Sequence, residues 1–317
     1  MGYRQGVTVT FAQIEPTTRC NFTCGFCAGR AMAQRDLDWN VFRAFLAAHP
    51  ALRHVELQGE GEPLLHPRFF DMLAACRGRG IRVSLITNGS LLSAERVERL
   101  LDFGIHSIHV SMESADPTRF AEIRRGKFDK VREGLARLVQ RRRERGLVEP
   151  AVGLAVTVLR STQDALQGIV DLYRKLSLDG GIVAQRLQPM PVYSRHYDAA
   201  MQAELMDDAD VRRFLGNRQA LAQLAPVPRP DAFFYHALFD GFDPRRDNCP
   251  WLVKGSYLSA DGRTTACCFM KDEAGDAPSL LRTLEEGEVP TACAGCGTAA
   301  AIANARRDQA MRRAVLK

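Results

Sequence analysis

The chain has 317 residues, of which 46% are hydrophobic, and its formal net charge is +6. This size and composition suit a soluble protein with a large core, and no run of eighteen apolar residues is present to cross a membrane. Nothing at the N-terminus resembles a signal peptide. Surplus basic residues in 141–145 and 306–317 lack interleaved aromatics, which is typical of solvated helix faces rather than of a nucleic-acid surface. We therefore expect a cytoplasmic protein without nucleic-acid or membrane partners.

From residue 7 to about 190, short strand-like runs alternate with longer helix-like runs. Strands are predicted over 7–14, 54–57, 83–86, 107–110, 152–159 and 182–187, and helices over 39–48, 69–76, 94–102, 130–145 and 165–176. Such alternation indicates parallel strands joined by crossover helices. Six units predict an α/β fold, a partial (β/α)6 TIM-like barrel over residues 1–190.

The pattern changes twice after residue 190. Several prolines interrupt 191–248, which we expect to be a connector that covers the barrel mouth and contains a helix over 208–224. Residues 249–317 are predicted to form a small C-terminal domain. It begins with a hairpin over 257–266, because Asp261-Gly262 between β-prone runs is a strong turn signal, and continues with a helix over 279–286, a C-x2-C pair and a final helix.

A C-x3-C-x2-C motif, formed by Cys20, Cys24 and Cys27, follows the first predicted strand. Three thiolates can hold three corners of a [4Fe-4S] cluster and leave the fourth iron open to a ligand. Structural zinc is the alternative, although it usually takes four ligands and favours C-x2-C pairs. Disulfides are disfavoured because nine cysteines without an export signal indicate a reducing compartment and metal binding.

Polar signatures follow the next strands as well. They are Glu60-Gly61-Glu62-Pro63, Thr87-Asn88-Gly89 and Ser111-Met112-Glu113. In a parallel barrel the carboxyl ends of all strands meet at one face, where catalytic groups gather. We call residues 60–63 the Gly-Glu loop and residues 20–27 the cysteine loop. We expect these loops and the two other polar signatures to share that face.

With the cysteine motif, the Gly-Glu loop and the six-unit alternation, residues 7–190 resemble the radical S-adenosylmethionine (SAM) superfamily. The resemblance implies a [4Fe-4S] cluster whose open iron is chelated by the amino and carboxylate groups of SAM. An external flavodoxin- or ferredoxin-type donor supplies an electron, and cleavage of the sulfonium bond releases a 5′-deoxyadenosyl radical. The protein then positions these groups and excludes side reactions.

The resemblance also implies residues that bind SAM. Phe26 matches the aromatic beside adenine, and Gly61 and Glu62 match the loop that meets the SAM ammonium, whereas Glu60 replaces a glycine of the family pattern. Ser111, Glu113 and Arg124 match contacts to ribose and carboxylate, and Thr157 is a further ribose contact. The alternatives are loop packing for Phe26, a helix-capping loop at 60–63 and a surface turn at Arg124.

Five cysteines lie near the C-terminus, whereas a second [4Fe-4S] cluster needs at most four. Their layout resembles the shortened auxiliary-cluster domain, called twitch, of aminocyclitol dehydrogenases in the same superfamily. Taken literally, that pattern makes Cys249, Cys267, Cys293 and Cys296 the ligands and leaves Cys268 as the spare thiol. In the other set, which we favour, the ligands are Cys267, Cys268, Cys293 and Cys296, and Cys249 is the spare thiol.

A spare thiol near a substrate radical is a hydrogen-atom donor, and returning hydrogen to the opposite face of a carbon inverts it. The length and C-terminal layout resemble the aminoglycoside epimerases of the superfamily. We therefore predict a radical SAM epimerase of antibiotic biosynthesis, with Cys249 as donor and Cys268 as the alternative. A dehydrogenase of an aminocyclitol or amino sugar, a peptide-modifying enzyme and a structural zinc protein are the alternatives.

An aminoglycoside is polycationic, so its pocket should carry carboxylates. The candidates are Asp207, Asp208, Asp231, Asp240 and Asp243 in the connector, and Glu15 and Glu56 near strand ends. The sequence does not choose among them.

Overall fold

The computed structural model describes residues 8–225, 236–271 and 277–315. Its centre is a sheet of eight strands in the order β6-β5-β4-β3-β2-β1-β7-β8. The strands are β1 (Phe11–Ile14), β2 (His54–Leu57), β3 (Arg82–Thr87), β4 (Ser107–Ser111), β5 (Ala151–Val158), β6 (Ile182–Arg186), β7 (Gly255–Leu258) and β8 (Thr264–Thr265).

Helices also connect the first six strands, and further helices of 4 to 19 residues follow them. They are α1 (Trp39–Ala48), α2 (Phe69–Arg77), α3 (Ala94–Asp102), α4 (Pro117–Arg124), α5 (Phe128–Glu144), α6 (Leu166–Lys175), α7 (Pro191–Ser194), α8 (Ala199–Gln202), α9 (Asp208–Leu224), α10 (His236–Phe239), α11 (Pro250–Lys254), α12 (Ala277–Glu285) and α13 (Gly297–Val315). No described helix is long and apolar enough to span a bilayer.

The first six strands are parallel, as the alternation predicts. Helix α4 was not predicted, because its eight residues carry only a weak apolar pattern. Its signal is local: the Asp116 side chain accepts from the backbone N–H of Arg119 at 2.7 Å, and Pro117 occupies the first turn. A capping aspartate followed by proline favours a helix start.

The two faces of the sheet differ in chemistry because side chains alternate along each strand. One face carries apolar residues such as Ala12, Val55 and Leu85, which belong to the main hydrophobic core with the helices. The other face is buried yet polar, and its members include Gln13, Glu15, His54, Glu56, Ser84 and His109. We call this second surface the inner face.

The C-terminal hairpin is part of the main sheet. Strand β7 pairs in parallel with β1, with Tyr257 opposite Gln13, and β8 pairs antiparallel with β7. The predicted turn is confirmed, since Gly262 has φ = 84°, a conformation that glycine adopts without steric cost. The sequence pattern places this hairpin in a separate domain, but its strands continue the sheet of the first 190 residues; the three-part division itself stays a prediction.

The connector begins beside the cysteine loop. Helix α9 has the predicted bounds. Tyr197 and Met201 pack with Phe26 in one small hydrophobic cluster, and an ideal Cβ on Gly25 would lie 3.1 Å from the Met201 methyl carbon. The start of the connector therefore covers the cysteine loop.

Candidate active site

The thiols of Cys20, Cys24 and Cys27 are neighbours in the loop between β1 and α1, and all three are free of disulfides. The Cys20 sulfur accepts from the Phe22 N–H at 3.4 Å and from the Asn88 amide at 3.8 Å. Burial raises the pKa of the Cys24 thiol to about 11, and the Arg124 guanidinium opposes that rise. Bound iron deprotonates a coordinating thiol outright, and N–H donors stabilise the thiolate that results.

This donor set fits an iron–sulfur cluster. Among the described residues, no three His, Cys, Asp or Glu side chains stand close enough to share a single metal ion. A cluster is larger than one ion, and each of its thiolates binds a separate iron.

The Gly-Glu loop is locked against the cysteine loop. An ideal Cβ on Gly61 would lie 2.2 Å from the Thr17 carbonyl oxygen, so only glycine permits this approach. The Glu62 N–H donates to the Arg19 carbonyl at 2.9 Å. The Glu62 carboxylate accepts from the Thr87 hydroxyl and from the Asn88 N–H, both at 2.7 Å. Glu62 therefore joins the loops that follow β2 and β3.

Arg124 forms a buried bidentate pair with Glu113. The guanidinium Nη2 lies 3.3 Å from Glu113 Oε1, and Nε donates to Oε2. The Thr157 N–H donates to Glu113 at 3.4 Å, and the guanidinium lies 5.8 Å from the centre of the Phe26 ring. The surface-turn alternative for Arg124 is therefore wrong.

These contacts gather the predicted SAM residues of β4, α4 and β5 beside Cys24. Ser111, two residues before Glu113, is the last residue of β4 and lies at the same edge of the sheet. The assignment of SAM contacts to Phe26, Glu60, Gly61, Glu62, Ser111, Glu113, Arg124 and Thr157 stays a prediction.

Glu60 has a partner that the sequence did not reveal. Its carboxylate accepts from the Lys271 ammonium and lies 3.5 Å from the Cys27 sulfur. Lys271 is only 7% exposed, and its nitrogen lies 5.5 and 5.6 Å from the ring centres of Tyr193 and Tyr257. Burial alone would raise the pKa of Glu60 and lower that of Lys271, but each charge reverses the effect on the other. Both groups are therefore ionised.

Glu15 supports this region from β1. Its carboxylate accepts from the Glu60 N–H at 2.7 Å, and from the Tyr257 hydroxyl and the Ala260 N–H at 3.2 Å. The side chain is fully buried. Glu15 therefore links the Gly-Glu loop to the C-terminal hairpin, and both of its carboxylate oxygens accept hydrogen bonds from protein donors.

The five C-terminal cysteines divide between two hydrophobic clusters. Cys249, Cys267, Cys293 and Cys296 pack against the cluster around Leu252, Leu280 and Ile302. Cys268 belongs to a cluster with the inner-face residues Phe11 and Tyr257, against which Cys249 and Cys267 also pack. Burial raises the pKa of Glu56 well above its usual range, and the nearby Cys268 adds to that rise. Cys249 and Cys267 therefore contact both hydrophobic clusters, and the second [4Fe-4S] cluster and its ligand set stay a prediction.

The fold and the site define a class of protein that brings three cysteine thiols, suited to an iron–sulfur cluster, to the carboxyl edge of a parallel sheet. Residues 14–172 match the model of the Radical SAM superfamily. The chain therefore belongs to this superfamily, whose members bind a [4Fe-4S] cluster and consume SAM.

Two curated proteins are similar to this chain in sequence. The GTP 3′,8-cyclase of Chlorobaculum tepidum is 30% identical in an alignment of 315 positions, gaps included, which covers 90% of this chain and 86% of that protein. The tungsten-containing aldehyde ferredoxin oxidoreductase cofactor-modifying protein of Pyrococcus furiosus is 29% identical over 188 residues, or 57% of this chain. The matched region spans about half (52%) of the length of the latter relative.

Solved structures share the fold. SuiB of Streptococcus suis bound to S-adenosylmethionine superposes with a TM-score of 0.65 at 17% identity, covering 87% of this chain and 65% of that one. The structure of anSMEcpe with bound AdoMet and a Cp18Cys peptide gives 0.61 at 16% identity, covering 92% and 84%. At these low identities the similarity shows the fold alone. It confirms the predicted α/β fold, a partial barrel built on a parallel sheet.

Proposed function

We propose that the protein is a radical SAM epimerase that inverts one carbon of an aminoglycoside amino sugar in antibiotic biosynthesis. The proposed reaction is of the type catalysed by neomycin C epimerase, which converts neomycin C to neomycin B. The observation that carries the proposal is the fifth C-terminal cysteine. Four thiols suffice for an auxiliary [4Fe-4S] cluster, and the surplus thiol is available for hydrogen return.

The bound cluster and SAM would supply a 5′-deoxyadenosyl radical, which takes a hydrogen atom from the substrate carbon. A cysteine S–H then gives its hydrogen atom to the opposite face of that carbon, so the C–H bond is remade with inverted configuration and a thiyl radical remains. One electron from an external flavodoxin- or ferredoxin-type donor and one proton restore the thiol. The substrate is neither oxidised nor reduced, while SAM is consumed.

We assign the donor role to Cys249, with Cys267, Cys268, Cys293 and Cys296 as ligands. Cys249 immediately precedes α11. It packs against the hydrophobic cluster around Leu252 and also against the one that contains Cys268, so it lies between the other cysteines and the inner face. The packing of Cys249 with Cys267, Cys293 and Cys296 equally supports the alternative, in which Cys249 is a ligand and the buried Cys268 donates.

Two variants separate these assignments. C249A and C268A are reconstituted anaerobically and compared for iron content, SAM cleavage and inversion. The donor variant should keep the iron of two clusters and continue to form 5′-deoxyadenosine while it loses inversion. The ligand variant should lose iron. If both variants invert the substrate normally, hydrogen return by either cysteine is wrong.

A cyclase acting on GTP is the second candidate, because the similarity to the Chlorobaculum tepidum protein covers 90% of this chain. Lys271, the buried cation beside the Gly-Glu loop, is paired with Glu60 rather than open to a triphosphate. A dehydrogenase of an aminocyclitol or amino sugar is a third candidate. A peptide-modifying enzyme is a fourth, since the SuiB and anSMEcpe structures include peptide complexes.

One experiment distinguishes all of these. The reconstituted enzyme is incubated in heavy water with SAM, a reductant and, in separate reactions, aminoglycosides, GTP and peptides. Epimerisation should yield a product one mass unit heavier, with deuterium at the inverted carbon. A product lighter by two hydrogens would instead identify a dehydrogenase, and turnover of GTP alone would overturn the proposal.

A further inference from the structure

We propose that Glu56, in the middle of β2, is the carboxylate that binds an ammonium group of the substrate. This inference rests on the proposed function for its substrate class, and it adds the residue that recognises that class. The observations are the position of Glu56, its burial and the state of its two oxygen atoms.

Glu56 lies on the inner face of the sheet, in one row with its neighbours on both sides. Its β-ladder partners are Gln13 on β1 and Ser84 on β3, and the row continues to Tyr257 on β7. Cys268 packs in one hydrophobic cluster with Tyr257 of this row. An ammonium group held by Glu56 would therefore place the attached sugar in the same region as the C-terminal thiols.

The Glu56 side chain is 1% exposed, and neither carboxylate oxygen meets a hydrogen-bond donor among the described residues. Buried polar groups are normally hydrogen-bonded, because an unsatisfied group keeps the full cost of its desolvation. A carboxyl group left in this state on the polar face of a SAM enzyme is suited to a donor that arrives with the substrate. An ammonium group offers three such donors, and its positive charge would favour the ionised carboxylate, which burial alone disfavours.

The remaining candidate acids have different roles. Glu15 is occupied by three protein donors, as described above, and Glu60 is paired with Lys271. Asp207 caps α9, Asp208 is exposed in its first turn, and Asp240 is exposed after α10. Asp243 pairs with Arg245 and Arg246. Asp231 lies outside the described residues.

Equilibrium binding tests the inference without turnover. Reconstituted holoenzyme, without reductant, is titrated by calorimetry with neomycin C and with its N-acetylated derivatives, which lose the positive charges. E56Q should weaken binding of the free amine by about tenfold or more, as expected for a lost charge-assisted hydrogen bond. N-acetylation at the recognised amine should weaken binding to the original enzyme similarly but should not weaken binding to E56Q further.

Two further variants make the result specific. E56D keeps the charge and should still distinguish the amine from its N-acetylated form, whereas D208N, at an exposed candidate acid, should bind as the original enzyme does. Iron content and the thermal transition of each variant report on folding.

Each outcome bears on one proposal. Unchanged discrimination in E56Q, or no amine binding by the original enzyme, would overturn the role of Glu56. Amine binding through Glu56 without deuterium incorporation during turnover would instead overturn the epimerase proposal and leave the cationic subsite standing.

Discussion

The Lys271 ammonium and the Glu60 carboxylate form a buried ion pair across 211 positions of sequence. Glu60 stands beside Cys27 in the SAM-cluster region, whereas Lys271 follows the vicinal cysteines Cys267 and Cys268. Both charges are enclosed, with two tyrosine rings near the ammonium. This contact physically connects the surroundings of the two proposed clusters.

Breaking that pair on one side should destabilise the protein strongly. K271M leaves the Glu60 charge buried without its partner, and we expect a loss of about 3–5 kcal/mol in the free energy of unfolding. The double variant E60Q/K271M should recover much of this loss, because no charge is then left unpaired. Urea unfolding of the reconstituted proteins measures both. As a control, R132A removes an exposed pair with Asp129 and should have little effect. Equal losses in K271M and R132A would contradict the buried pair.

Gly61 should tolerate no side chain. In G61A the new methyl group would lie 2.2 Å from the Thr17 carbonyl oxygen and 2.6 Å from that of Arg19, so the Gly-Glu loop must move away from the cysteine loop. We expect weaker SAM binding, by tenfold or more, measured by equilibrium dialysis. Gly80 has φ = 66° and open space around it, so G80A should cost only about 1–2 kcal/mol of backbone strain and leave SAM affinity unchanged. Normal SAM binding by G61A would show that the close approach is unimportant.

Cys24 and Cys76 offer a matched pair of buried thiols. Cys24 stands with Cys20 and Cys27, whereas Cys76 is enclosed in α2 within the main core. We expect C24A to lose the iron and sulfide of one cluster and all SAM cleavage. C76A should keep both, because Cys76 packs in the main core and is not part of the cysteine motif. Iron and sulfide analysis measures the cluster content, and chromatography of 5′-deoxyadenosine measures SAM cleavage. Retention of a full iron complement by C24A would refute its role as a ligand.

The stability of the protein should fall in mild acid because of buried histidines. Burial lowers the pKa of His109 to about 4 and that of His54 to about 3, from an ordinary value of 6.5. Between these values and 6.5 the unfolded chain binds protons that the folded chain does not, so the free energy of unfolding decreases as the pH falls below about 6.5. H109Q should reduce this dependence.

Urea unfolding at pH 7.5 and 5.5, for H109Q and the original chain, measures the difference. The His54 contribution should remain in H109Q. An unaltered pH dependence in the variant would mean that His109 is not the titrating group.

Much of the fold could be predicted because it depends on local periodicity. Alternating apolar runs located β1 to β6 and most of the helices between them, and the Asp261-Gly262 turn located the C-terminal hairpin. The cysteine motif was equally visible, since its three cysteines lie within eight residues. Periodicity missed α4, whose few residues give little signal.

Contacts between distant segments could not be predicted in this way. Nothing in the string around Lys271 indicates that its ammonium meets Glu60, and the parallel pairing of β7 with β1 depends on the whole chain having folded. The seven candidate acids were indistinguishable in sequence, because the difference between Glu15 and Glu56 is whether a protein donor reaches each oxygen. Such differences are set by tertiary structure.

The pairing of β7 with β1 has a consequence for any shortened form of the protein. Without the segment from residue 249 onward, β1 would become the outermost strand, and its unpaired amide and carbonyl groups would face solvent. The strand that leads into Cys20 would then be a template for association with other chains. A truncated barrel should accordingly aggregate, so the C-terminal segment protects the first strand as well as carrying five thiols.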